Sequence, residues 1–149
     1  MIGTSEVVHV GPLLTFDEAA LTANTTYHYV FFSYNGVNSA TNYNTTNPLQ
    51  ASVQTWAAQP TTQARNISFS AIATTSVTLN FTKGNGVSRL VVARQGNAVN
   101  VFPADANGYT PNGNFALAPD LGSGNRVVAI RSGADNSDVV VTNLSAATA

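Results

Sequence analysis

Cysteine is absent from this 149-residue chain, which excludes disulfides and thiolate metal centres. Charge is also scarce. Asp, Glu, Lys and Arg make up 9 % of the residues, against roughly 25 % in ordinary soluble domains. Lys83 is the single lysine, and the net charge is −1. No basic patch is present to neutralise a phosphate backbone, so nucleic acid is not an expected partner. No apolar run approaches the length of a membrane-spanning helix. Met1–Glu6 has no basic stretch leading into an apolar one, so no secretory signal is legible there.

What is present is apolar and uncharged-polar. Hydrophobic residues make up 44 % of the chain, enough for a core, and 149 residues suffice for one domain or parts of two small ones. The remaining polarity comes from Asn, Thr, Ser and Gln. These residues suit strand faces and turns and are poor helix interiors. A cysteine-free, low-charge, Asn- and Thr-rich chain of this kind is expected outside the cell or on its surface.

Short apolar runs alternate with turn residues. The runs are Val7–Val10, Leu13–Phe16, Tyr27–Tyr34, Leu49–Trp56, Ile67–Ile72, Ser76–Thr82, Arg89–Arg94, Ala98–Phe102, Arg126–Arg131 and Asp138–Thr142. Gly, Pro, Asn or Asp separates most of them, which predicts an all-β sandwich or barrel. Alternation is clearest in Ser76–Thr82, where Val77, Leu79 and Phe81 are expected to face a core. Along Tyr27–Tyr34, Tyr27, Tyr29, Phe31 and Ser33 are expected on the core face. Val30, Phe32 and Tyr34 then fall on the opposite face, as candidates for contact with a neighbouring subunit or domain.

Leu21, Thr25 and Tyr27 stand at the spacing of a tyrosine corner, and Tyr34-Asn35-Gly36 closes the run. This stretch resembles the E–F corner and F strand of a fibronectin type III domain. The resemblance implies that Leu21 plugs a core and that the Tyr27 hydroxyl bonds back to the backbone. Asn42–Thr46 is similar to an F–G loop, and Leu49–Thr55 to strand G. Beyond Gln59-Pro60 the residues resemble the front of a second repeat. Ile67–Ser70 is similar to strand A, Thr75–Thr82 to strand B, Gly84-Asn85-Gly86 to the B–C turn, Arg89–Arg94 to strand C and Val139–Leu144 to strand E. Phe81 takes the place of the family's core tryptophan.

The resemblance implies an immunoglobulin-like, fibronectin type III-like Greek-key sandwich in two parts. Residues 1–57 match the C-terminal strands of one repeat, and 58–149 the N-terminal strands of a second, with Leu144–Ala149 echoing Leu21–Thr26. Neither part then closes a core alone. Three outcomes are open: closure within one chain as a circular permutant, head-to-tail sharing of strands between chains, or completion by further parts of a longer chain.

Catalytic, cofactor and metal sites are not expected. His9 and His28 have no spaced acidic or histidine companions. Asp135-Asn136-Ser137-Asp138 offers oxygen ligands but lacks the length and bidentate Glu of a calcium loop, so a hairpin turn is expected. Gly122-Ser123-Gly124 is not a nucleophile elbow, and Gly84-Asn85-Gly86 is followed by no Lys-Ser/Thr. Asn24, Asn44, Asn66, Asn80 and Asn143 each open an Asn-x-Ser/Thr triplet. The expected function is a structural module that shares strands with copies of itself or with adjacent repeats, as in a filament or surface assembly. The alternative is a spacer or carbohydrate-binding repeat of a larger secreted enzyme or adhesin, for which Trp56 is the single tryptophan.

Overall fold

The computed structural model describes residues 5–133 and 138–146. The protein is all-β; the described residues form nine strands in small antiparallel sheets and no α-helix. It divides into two compact units, Met1–Ala58 and Gln59–Ala149.

The first unit is a long hairpin. β1 (Thr26–Phe31) is a run of β-branched and aromatic residues, the types that fit a pleated surface. It pairs antiparallel with β4 (Leu49–Gln54), from Thr26 opposite Gln54 to Phe31 opposite Leu49. A smaller ladder continues it, with β2 (Tyr34–Asn35) against β3 (Asn42–Tyr43). The turn between them carries a 3₁₀ segment, Asn38–Ala40, entered through Gly36 at φ +87°. A side chain at Gly36 would collide with the Ala40 carbonyl, so only glycine fits this reversal. None of the described residues in this unit is buried; Phe16, Leu21, Tyr27 and Tyr29 are half-buried.

The second unit holds the core. β5 (Arg65–Ser70), β6 (Val77–Thr82) and β9 (Val139–Val141) form a three-stranded sheet with β6 in the centre. β7 (Ser88–Arg94) and β8 (Asn125–Ser132) form a two-stranded sheet. Leu79, Ala118, Val128, Ala129, Val139 and Val141 pack together, with Val77, Phe81, Val91, Ala93, Phe115 and Leu144 against them. The alternating residues of β6 thus face the core as their period-two pattern predicts. In β8 the pairing skips Val128, since Val91 lies opposite Ala129 and Val92 opposite Val127. Three successive residues, Val127, Val128 and Ala129, are buried, and the bulge lets two neighbours, Val128 and Ala129, both join the core cluster.

Three expected strands do not form. Val7–Val10, Leu13–Phe16 and Ala98–Phe102 are irregular. Gly11-Pro12 and Pro103 interrupt any ladder there, because proline has no N–H to donate. The first two runs meet through side chains instead, with the His9 and Phe16 rings stacked 5.0 Å apart. The third is held by Asn125, which is wholly buried and exchanges hydrogen bonds with Asn100 through its side-chain amide (3.2 and 2.9 Å). The expected single strand Tyr27–Tyr34 breaks after Phe31. Phe31 and Ser33, expected on a core face, are exposed, because no opposing layer covers them among the described residues of this unit.

Candidate functional site

Residues 21–27 turn into β1 through a set of backbone bonds. The Tyr27 hydroxyl accepts a hydrogen bond from the Thr22 N–H at 2.8 Å. Thr25 donates its hydroxyl to the Ala23 carbonyl at 3.1 Å. Leu21 is half-buried beside Phe16 and Tyr29. Thr55, which the sequence does not single out, is the clamp from the other strand. Its hydroxyl donates to the Thr22 carbonyl at 2.6 Å and accepts from the Thr25 N–H at 3.0 Å.

Residues opposite each other in an antiparallel pair point to the same face. Tyr27, Tyr29 and Phe31 therefore share a face with Val53, Ala51 and Leu49. The other face carries Thr26, His28 and Val30 with Gln54, Ser52 and Gln50. The apolar face is open. Phe16, Glu18, Leu21, Tyr29, Phe31, Ala51 and Val53 line a concavity of about 360 Å³ on it. At its rim Tyr29 donates its hydroxyl to Glu18 at 2.6 Å. That bond, and the carboxylate's charge, push the Tyr29 pKa above its ordinary value of 10.0.

The interface candidates fall elsewhere. Val30 lies on the polar face of the hairpin, Phe32 follows the end of β1, and Tyr34 on β2 packs its ring against Tyr43 at 5.2 Å. All three are exposed, but the larger apolar surface is the Phe31–Leu49–Val53 face. Its signal was present in the sequence: in Leu49-Gln-Ala-Ser-Val-Gln every second residue is apolar.

The second unit is sealed on one side and bare on the other. Beside β8 and β9, residues 112–119 close the second unit. Asn112 donates to the Val127 carbonyl, Val127 to Pro119, Phe115 to Thr142 and Thr142 to Gly113, at 2.8–3.1 Å. Beside β5 and β7 nothing comparable exists among the described residues. All seven residues of β7 pair with β8, and among the described strands no second strand pairs with β7. Phe69 on β5 lies opposite Leu79, and so on the core face, yet it is 57 % exposed where Leu79 is 8 %. The core sheet is covered over β6 and β9 and uncovered at β5.

The Gly84-Asn85-Gly86 turn anchors the start of this unit. Asn85 donates its N–H to the Thr62 carbonyl (3.1 Å), accepts from the Thr62 N–H (2.9 Å) and donates its amide to the Thr61 hydroxyl (2.8 Å). Gly84 lies so close that a Cβ there would collide with the Thr62 carbonyl oxygen.

His28 projects from the polar face of the hairpin opposite Ser52, and His9 lies against Phe16. No group of three or more His, Asp or Glu side chains suited to a metal ion occurs among the described residues. Asp135, Asn136 and Ser137 of the calcium-like loop lie outside the described residues. No helix among the described residues is long and apolar enough to cross a membrane. Comparison with protein-family models, with curated proteins and with solved structures finds no match to this chain.

Proposed function

We propose that this protein is a non-catalytic structural module of the fibronectin type III kind, working at the cell surface or outside the cell by pairing its strands with other β modules. One observation carries the reading: two incomplete β units with complementary deficits. The apolar face of the hairpin is open at Phe31, Leu49 and Val53, and the core face of the second unit is open at Phe69. Unpaired strand edges and exposed core faces favour association, because backbone groups and apolar area both gain from a partner. The Tyr27–Thr22 bond and the β5–β6–β9 sheet order support the fibronectin-like assignment. The partners are copies of the chain or adjacent repeats of the same protein.

Light scattering on the full chain tests this. The expected result is a mass of several chains that rises with concentration. A monomer stable over the whole range argues instead for an isolated spacer. A carbohydrate-binding module, the second reading, is favoured by the open groove of Phe16, Tyr29 and Phe31 with the Glu18 carboxylate at its rim. It predicts a monomer that is retained on polysaccharide and loses that retention in Phe31→Ala.

A further inference from the structure

Four Asn-Gly pairs occur along the chain: Asn35-Gly36, Asn85-Gly86, Asn107-Gly108 and Asn112-Gly113. Such a pair is chemically weak. Glycine has no side chain to shield its backbone nitrogen, and its backbone turns readily toward the preceding side chain. That nitrogen attacks the asparagine Cγ only if both the amide and the backbone around it are at liberty to rotate. We infer that Asn107 is the modification site of this chain, deamidating spontaneously in the folded state, and that the fold protects the other three asparagines.

Each of the other three is held. Asn35 lies on β2 in register with Asn42 of β3, and Gly36 packs at φ +87° against the Ala40 carbonyl. Asn85 uses its N–H, its Oδ1 and its Nδ2 in the bonds to Thr61 and Thr62. Asn112 is half-buried, donates its N–H to the Val127 carbonyl and accepts the Asn114 N–H on Oδ1 at 2.9 Å. The Gly113 carbonyl is tied to the Thr142 N–H.

Asn107 has none of these restraints. It is exposed on an irregular segment, and its side-chain amide makes no hydrogen bond among the described residues. Gly108 is exposed as well, lies outside the left-handed region, and a Cβ there would meet nothing within 4 Å. The nearest tie is the 2.9 Å bond from the Ala104 N–H to the Tyr109 hydroxyl. It closes residues 104–109 into a small loop but holds neither the Asn107 amide nor the Gly108 N–H.

The chemistry needs only water and hydroxide. The Gly108 nitrogen gives up its proton and adds to the Asn107 Cγ. A C–N bond forms, the Cγ–Nδ2 bond breaks, and ammonia leaves with a proton taken from water. Water then opens the cyclic imide at either carbonyl, giving aspartate or isoaspartate. One water is consumed and one ammonia released, with no change of oxidation state. Each event adds a negative charge to a chain whose net charge is −1.

The test follows the full-length protein in mildly alkaline buffer, native and in urea, by tryptic digestion and tandem mass spectrometry. Asn35 falls in Met1–Arg65, Asn85 in Gly84–Arg89, and Asn107 and Asn112 in Gln95–Arg126, where fragment ions separate them. Urea frees all four pairs and gives each its own reference rate. The expected native rate of Asn107 is within about twofold of its rate in urea, while the other three, which react only through local opening, are slowed at least about tenfold. Gly108→Ala, which the open space accepts, is expected to slow Asn107 strongly and leave the others unchanged. Folding that slows Asn107 as much as the rest overturns the inference, as does another of the four leading in the native protein. An Asn107 rate unchanged in Gly108→Ala overturns the attack by the Gly108 nitrogen.

Discussion

The hydroxyl of Tyr27 accepts a 2.8 Å hydrogen bond from the backbone N–H of Thr22, five residues upstream, and so fixes the angle at which the chain enters β1. The bond is exposed, and water competes for the donor. Tyr27→Phe is expected to cost about 1 kcal/mol or less, the usual net worth of such a bond. Thr55→Ala is expected to cost more, because that hydroxyl serves both Thr22 and Thr25. Denaturant unfolding of the full chain compares the two, and equal stability of both variants with the parent would remove the corner as a structural device.

Gly84 meets the Thr62 carbonyl so closely that alanine has no room. Backbone must shift, and the three hydrogen bonds of Asn85 to Thr61 and Thr62 shift with it. Gly84→Ala is expected to destabilise residues 59–149 by about 1–3 kcal/mol, the range for overpacked sites. The check is the denaturation midpoint, with Gly96→Ala beside it: Gly96 is at φ +74° but has nothing within 4 Å, so its penalty comes from backbone strain alone.

Tyr29 titrates above its ordinary value of 10.0, chiefly because its hydroxyl donates to Glu18. A folded-state pKa raised above the unfolded value means a contribution present below about pH 10 and lost as pH rises through the folded pKa. Ultraviolet absorbance titration is expected to show Tyr29 ionising above its ordinary range. Glu18→Gln removes the charge and brings that tyrosine down, and an unchanged titration in this variant would show that Glu18 is not the cause.

Residues 59–149 without 1–58 keep a core but also the exposed Phe69 on its face. The fragment is expected to aggregate or to bind hydrophobic dye strongly. A soluble 59–149 that unfolds cooperatively and binds no dye would end the incomplete-sandwich picture.

Much of the architecture is legible along the chain. Val77, Leu79 and Phe81 alternate with Ser, Thr and Asn, and period two suffices to place them inward on β6. Other features are not legible. Val7–Val10 and Ala98–Phe102 have strand composition but no edge to pair with, and composition cannot report a missing partner. The bulge at Val128 is equally silent, because in Arg126–Arg131 an unbroken apolar run hides which residue is skipped. The outward residues Val30, Phe32 and Tyr34 drew attention as apolar side chains out of phase with the expected core. The more exposed surface proved to be the expected core face itself, at Phe31, Leu49 and Val53, for want of an opposing layer.

Sequence by itself determined the all-β class, most of the strand positions and the chemistry of each strand face, because those depend on neighbours one and two residues away. Tertiary structure alone decided that residues 112–119 close against β8 and the end of β9 while Phe69 on β5 stays exposed. That outcome rests on contacts between residues dozens of positions apart, and no local pattern encodes which edge of a sheet will find a partner.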